Sequence, residues 1–492
     1  MIGLWDFLNR YRGFMLRTCC SMALAAGMLC ESVPVMADDP KRPNFVFIFA
    51  DDQAYNTIGA LGHLDIETPN LDRLIGQGTT FTHAYNQGGW HGAVCVASRN
   101  MLNTGRFLWH AERHASRLEA ERRAGNFWSE YLKQAGYDTF FCGKWHLQAD
   151  VHQAFDQVRH VRPGMPKDQP AGYNRPVQGR PDRWKPWETA AGGYWSGGKH
   201  WSAVTADDAC DYLSDPARQK RPFFMYIAFN APHDPRQSPR EYVERYPLTK
   251  ISLPTNYLPE YPYKDAIGCG RSLRDERLAP FPRTPYAIQV NRQEYFALIT
   301  HMDAQIGRIL DALQQSGEAE NTYVIFSADH GLAVGNHGLL GKQNMFDHSV
   351  RVPFIIRGPE VAANRKNTKP IYLQDVMPTT LELAGIKKPS HVQFRSIWPL
   401  LKGKRENHYE AIYAAYMQSQ RMVLVDGYKL ILYPNIRKTL LFDLHSDPNE
   451  MRDLSERKEQ VGRVKQLFSR LLDLQKQTGD PLDLKSLYPD LT

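Results

Sequence analysis

A chain of 492 residues is too long for one ordinary hydrophobic core, which predicts a large domain with a smaller one attached. With 42% hydrophobic and 23% charged residues it is globular, which excludes a disordered or low-complexity protein. The formal charge of +7 suits an anionic substrate, and without a long basic run, zinc-finger or helix-turn-helix pattern it argues against nucleic acid as a partner.

Arg10, Arg12 and Arg17 precede an apolar run over 22–29, and Val35-Met36-Ala37 offers a small-residue cleavage site. Residues 1–37 therefore read as an export signal. The apolar run is too short to span a bilayer, and no later segment reads as transmembrane. The expectation is an exported protein, periplasmic or secreted, and the absence of any Asn-x-Ser/Thr sequon leans towards a bacterial route. Cleavage would leave Cys95, Cys142, Cys210 and Cys269, too scattered for a disulfide framework or a zinc pair; with Cys95 chemically committed, one disulfide is the most they could form.

Residues 44–50 are an almost continuous apolar run, the mark of a strand buried on both faces, and stop abruptly at Asp51-Asp52. A short helix is expected over 71–77. The stretch from Gly92 to Arg99 reads as a polar loop entering a helix, with Cys95 near its start. There, exposed N–H groups favour a thiolate or an anion, although a small buried cysteine is the commoner alternative. A helix over 127–134 and a strand over 139–142 follow, the strand running into Gly143-Lys144-Trp145-His146. Residues 160–200, rich in Pro, Gly, Arg and Trp, read as a long surface excursion near a cleft. Next come a helix over 207–213, a strand over 222–229 ending at Pro232-His233, and an irregular stretch over 234–290. A helix is expected over 293–313, then a strand over 321–327 ending at Asp329-His330, a strand over 353–357 and a helix over 373–384.

Beyond residue 403 the texture changes. Strand-like runs occupy 411–416, 422–425, 429–433 and 439–444, with Gly427 at a hairpin turn, and an amphipathic helix covers 460–477. The expected architecture is α/β: a large domain over 43–403 with a mostly parallel mixed sheet flanked by helices, and a C-terminal α+β subdomain over 404–492 with an antiparallel sheet. In such sheets ligands bind beyond the carboxyl ends of the strands. Four expected strands end there in charged residues.

Asp51, Asp52 and Asp329 bring three carboxylates together, which repel unless a cation neutralises them. With His330 they suit Ca²⁺, with Mg²⁺ or Mn²⁺ as alternatives, although histidine is an unusual calcium ligand. Arg99, Lys144 and Lys342, with His146 and His233, would surround that ion with positive charge and make a pocket for sulfate or phosphate. Lys342 is flanked by glycine and could equally be a solvated lysine. Trp145 and Cys142 read as packing. Asp347 and Arg351 are candidates for a salt bridge supporting the Lys342 segment. His63, His110, His200 and Trp201 could line a sugar subsite, although a structural role is the commoner fate of such residues.

On these motifs the chain resembles the type I, formylglycine-dependent sulfatases of the alkaline-phosphatase superfamily. Cys95, Ala97 and Arg99 with Thr104-Gly105-Arg106 stand in the places of that family's Cys-x-Pro/Ala-x-Arg and Thr-Gly-Arg motifs. Asp51-Asp52, Gly143 to Leu147, Pro232-His233, Asp329-His330, Lys342 and the closing Leu441-Phe442-Asp443-Leu444 follow in the family's order. The resemblance implies that a maturation enzyme oxidises Cys95 to formylglycine, whose hydrate attacks sulfur and then expels sulfate through its second hydroxyl. It makes Asp51, Asp52, Asp329, His330 and residue 95 the metal ligands. Arg99 and Lys144 would hold residue 95, and Lys144 and Lys342 the sulfate. His233 would protonate the leaving oxygen, and His146 would assist the release. The implied reaction is hydrolysis of a sulfate monoester, on a carbohydrate or a small sulfated molecule. A phosphoester or phosphonate monoester hydrolase of the same superfamily is the alternative, and a non-catalytic sulfoglycan-binding protein lies further off.

Overall fold

The computed structural model describes residues 42–62, 66–162, 164, 169–195, 198–218, 221–234 and 236–492. The export signal expected over 1–37 lies outside them, as does His63. Residues Arg42–Thr492 form one compact unit.

An eight-stranded sheet runs through it. Its strands are β1 (Asn44–Ala50), β2 (Thr79–Phe81), β3 (Asp138–Lys144), β4 (Gln157–Arg162), β5 (Phe223–Ala228), β6 (Thr322–Ala328), β7 (Phe354–Arg357) and β8 (Arg365–Asn367). Their spatial order is β8-β2-β7-β6-β1-β5-β3-β4. Only β7 runs against its neighbours, β6 and β2. Every residue of β1, β3, β5 and β6 is buried, as strands covered on both faces require, including Asp138 and Lys144 at the ends of β3 and Thr322 and Ser327 in β6.

The covering helices are α1 (Pro69–Gln77), α2 (Val94–Thr104), α3 (Trp128–Gln134), α4 (Trp201–Ser214), α5 (Pro285–Gln315) and α6 (Val376–Leu383). Strand register puts Phe47, Tyr226 and Phe141 on one face. Trp128 of α3 meets Phe47 there, ring centroids 5.1 Å apart, and its indole N–H donates to Thr380 of α6 at 2.7 Å. Phe140 points the other way and meets Tyr212 of α4 at 4.5 Å. Helices thus cover both faces, as the alternation of strand and helix predicts. Two helices start more than five residues ahead of expectation. Helix α5 starts at Pro285, where Thr284 accepts the Ala287 N–H and proline's fixed φ suits the first turn. Helix α4 starts at Trp201, where His200 Nδ1 accepts the Ser202 N–H.

The second sheet comprises β9 (Ile412–Tyr416), β10 (Gln420–Val425), β11 (Tyr428–Tyr433) and β12 (Lys438–Asp443), all antiparallel, with α7 (Val461–Thr478) packed on it through Val464, Leu467, Phe468 and Leu471. A fifth strand, Gly88–Gly89, joins β9 in parallel, with Ala415 opposite Gly88. A Cβ on Gly88 would lie 2.0 Å from the Ala415 carbonyl oxygen, so only glycine permits this pairing.

Lys429 of β11 ties this sheet to the rest of the molecule. Fully buried, it bonds Asp347 and, at 2.7 Å, Glu450, while Asp347 also pairs with Arg351 at 3.1 Å. Lys429→Met would leave two buried carboxylates facing each other, and the expected loss of stability is about 3–5 kcal/mol, read from denaturant midpoints.

Cys95, Cys142, Cys210 and Cys269 are all free thiols. No helix among the described residues is long and apolar enough to cross a membrane.

Candidate active site

Ala50 and Ala328 lie opposite each other in the β1–β6 register, so Asp51-Asp52 and Asp329-His330 leave adjacent parallel strands at the same edge. Asp52 adopts φ 69°, a left-handed conformation costly for a non-glycine residue. Three contacts hold it there. Its N–H donates to Asp329 Oδ1 at 3.1 Å, its carbonyl accepts from the Tyr295 hydroxyl at 2.7 Å, and its carboxylate takes Lys342 Nζ at 2.6 and 2.7 Å. One oxygen each from Asp51, Asp52 and Asp329 lie within 4.8 Å of one another.

Cys95 is the second residue of α2, whose first turn has no side-chain cap. The helix closes on Gly105 at φ 69°, where a Cβ would press on Val392 and Met377, which explains the glycine of the Thr-Gly-Arg motif. Arg106, the last residue of that motif, pairs with Glu121 instead of entering the site. Cys95 Sγ lies 3.3 Å from His146 Nδ1 and 3.7 Å from Lys144 Nζ. Lys144 arrives there because Gly143, at φ 97°, lets β3 close on the Ala228 carbonyl, which a Cβ would meet at 1.9 Å. Lys144 also bonds Asp51 at 2.5 Å. Arg99, one turn along α2 from Cys95, bonds Asp329 at 3.0 Å and the Lys144 carbonyl at 2.6 Å, with its guanidinium 5.1 Å over Phe49.

Burial opposes ionisation of Asp51, but Lys144, His233 and Arg99 outweigh it and hold its carboxyl well below the ordinary range. Burial dominates at Asp329 and, with Asp51 beside it, pushes the carboxyl up to about 7 despite Arg99. Asp52 is raised by burial in the same way, against Lys342. His146 falls to about 2 through burial and the positive charges of Lys144 and Arg99, so it is a neutral base. His233 behaves oppositely. Burial and Lys342 disfavour its charge, but Asp52, Asp234 and Asp51 outweigh them and its pKa rises.

His233 sits 3.4 Å from Asp52 through Nε2 and 2.8 Å from the Asp234 carbonyl through Nδ1. With Cys95, His146 and Lys342 it lines a cavity of about 360 Å³ whose wall also includes Arg274, Asp275 and Gln343. A larger hollow of about 620 Å³ against α7 is lined by none of these residues. The residues of the site that the sequence did not single out are Asp234, Asp275 and Gln343. Asp234 accepts from Tyr173, and Gln343 braces the lysine segment by donating to Asp275 and the Gly92 carbonyl. Asp234 and Gln343 directly follow His233 and Lys342 in the sequence, and that adjacency is the signal the chain carries for them.

A divalent cation fits this donor set. Asp51 Oδ1 and His330 Nε2 are buried without a hydrogen-bond partner among the described residues. His330 Nδ1 faces the Gly331 carbonyl at 3.2 Å and must donate to it, which leaves a bare lone pair on Nε2, and burial keeps the ring neutral with a pKa of about 3. His330 lies outside the tight carboxylate trio, so the trio is the firmer part of the set.

The model of the sulfatase family matches residues 43–386. The chain belongs to the sulfatase family. It is therefore a sulfuric ester hydrolase of the alkaline-phosphatase superfamily. The C-terminal model of N-sulphoglucosamine sulphohydrolase matches residues 335–477. The sulfatase is 24% identical to an N-acetylglucosamine-6-O-sulfatase of Bacteroides thetaiotaomicron, across 93% of this chain and 91% of that protein. It shares its fold with a protein solved in complex with its substrate D-glucosamine-2-N,6-O-disulfate (TM-score 0.70, 24% identity, 90% and 99% of the two chains). The fold is shared as well with a phosphonate monoester hydrolase of Agrobacterium radiobacter (TM-score 0.69, 21% identity, 89% and 96%).

Proposed function

We propose that this sulfatase removes a sulfate ester from a carbohydrate, using residue 95 as formylglycine and a calcium ion held by Asp51, Asp52, Asp329 and His330. The observation that carries the reading is the convergence of Cys95, His146, Lys144 and Lys342 on the edge of a three-carboxylate cluster. The ion would supply charge that draws the sulfate in, and the hydrated aldehyde would supply one hydroxyl to attack sulfur and a second to let sulfate depart. Lys342 and Lys144 hold the sulfate oxygens, and Arg99 fixes Asp329 and the Lys144 backbone. His146, neutral, takes the proton from the hydroxyl at position 95. His233, charged, gives its proton to the departing alcohol. The carbohydrate part of the reading is supported by the activities named for the relatives above. Residues 43–403 would carry the chemistry, 404–492 would brace it, and the enzyme would act outside the cytoplasm after removal of 1–37, having met a formylglycine-forming enzyme on the way.

Paired assays of an aryl sulfate and the matching aryl phosphate and phosphonate, with a panel of sulfated oligosaccharides, test this directly. Faster turnover of phosphate or phosphonate would overturn it. His233→Ala should lower the rate on alkyl and sugar sulfates about 10²–10⁴-fold. It should cost much less on p-nitrophenyl sulfate, whose leaving group needs no proton. An equal loss on both would remove the acid role from His233.

A further inference from the structure

Arg162 ends β4. It stands opposite Lys144 in the β3–β4 register, so the sheet delivers a second cation beside the catalytic lysine. It is 9% exposed, with its guanidinium 4.0 Å over the Trp201 ring and one N–H on the Gly192 carbonyl at 2.8 Å. Among the described residues it has no carboxylate partner, and its Nη1 has no hydrogen-bond partner. Arg99, Arg283 and Arg421, comparably buried, each sit on a carboxylate. Burial without a counter-charge lowers the Arg162 pKa to about 9, which still leaves it charged at neutral pH. A buried, unpaired charge is expensive to keep, and an incoming anion would relieve it.

The surroundings point the same way. Arg162 and Trp201 line a small cavity with His200, Asn230, His233 and Asp234. The Trp201 indole N–H, on a side chain 4% exposed, is a donor without an acceptor among the described residues. His200 does not compete, since it is spent on Ser202 and the Gln237 carbonyl. Asp234, the carboxylate on the wall, is engaged by His233 and Tyr173. The cavity lies at the amino end of the 14-residue helix α4, where the helix dipole also favours negative charge. Its volume of about 20 Å³ admits an oxygen atom and not a sugar ring. His233 forms a wall of both this cavity and the catalytic one, so whatever reaches into it is attached close to the leaving oxygen.

We infer that Arg162 and the Trp201 indole N–H form a subsite for a second acidic group, sulfate or carboxylate, on the saccharide that bears the scissile sulfate. The inference rests on the proposed carbohydrate-sulfatase reading and narrows it to substrates carrying at least two acidic groups.

Calorimetric titration of the full chain with three probes tests it. These are glucosamine 6-O-sulfate, glucosamine 2-N,6-O-disulfate, and an unsaturated uronyl disaccharide with one 6-O-sulfate on its hexosamine. At least one two-acid probe should bind roughly tenfold more tightly than the one-acid probe. Preference for the disulfate identifies sulfate as the second group; preference for the disaccharide identifies carboxylate. Arg162→Met should abolish the preference, Arg162→Lys should keep part of it, and Trp201→Phe, which retains the ring but not the N–H, should weaken it several-fold. The inference fails where neither two-acid probe is preferred, or where all the variants weaken the three probes equally. A wild-type chain that shows the preference but, assayed separately, releases sulfate from none of the probes would instead overturn the proposed carbohydrate substrate and leave the anion subsite standing.

Discussion

Cys95→Ser lowers sulfate release by about 10⁴-fold or more while leaving the fold intact. Serine fits the second position of α2, and no side-chain cap is lost there. Its hydroxyl can keep the contacts that Sγ makes with His146 and Lys144. What it lacks is a second hydroxyl. Attack on sulfur would transfer the sulfuryl group to the serine oxygen, with the departing alcohol taking its proton from His233, and the reaction would stop at a sulfated protein. Intact-mass spectrometry should show that adduct forming once per chain. The wild-type peptide containing residue 95 should carry an aldehyde in place of the thiol. Undiminished turnover by Cys95→Ser would remove formylglycine from the mechanism.

Asp329→Asn should cost about 10³-fold in rate, the scale of several kcal/mol of charge stabilisation lost with a catalytic cation. Asparagine keeps the volume, and its oxygen can still accept the Asp52 N–H. It removes one of three clustered negative charges and leaves Arg99 buried without its partner. Elemental analysis should find one divalent ion per wild-type chain and much less in the variant. A calcium chelator should reproduce the loss in wild type, and added Ca²⁺ should restore it. Full activity in exhaustively chelated wild type would sink the metal reading.

The strand ends could be read from the chain alone because a parallel sheet leaves a strong trace. β1, β5 and β6 are nearly continuous apolar runs, with Asp51-Asp52 and Asp329-His330 directly after β1 and β6 and His233 a few residues past β5, while β3 carries its apolar stretch over Phe140 to Cys142, just ahead of Lys144. Lys342 was harder, since its burial comes from Asp52, nearly three hundred residues earlier, and a glycine-flanked lysine looks the same exposed. β4 was hidden for a different reason. Its residues, Gln157 to Arg162, are half-exposed and basic at the edge of the sheet, so they carry neither an apolar run nor a clean alternation. Gly88–Gly89 could not have been recognised at all, because two glycines argue against a strand and only the Ala415 backbone makes them one. The early start of α5 was written in Thr284-Pro285, a cap and first-turn signal masked by the proline-rich stretch before it.

The Gly88–Gly89 pairing also sets a clock. The strand that completes it, β9, is made roughly three hundred residues after Gly89, so at about 5–20 residues per second the newborn chain waits about 15–60 s before this edge can close. Only four residues separate Gly89 from α2. During that interval the turn leading into α2 lacks its pairing with β9. Afterwards Cys95 is 2% exposed, within reach of small molecules but not of another protein's active site. Conversion of that side chain by a second enzyme, as proposed above, would therefore have to come before this edge closes, and a folded chain that missed it would have no second opportunity short of unfolding.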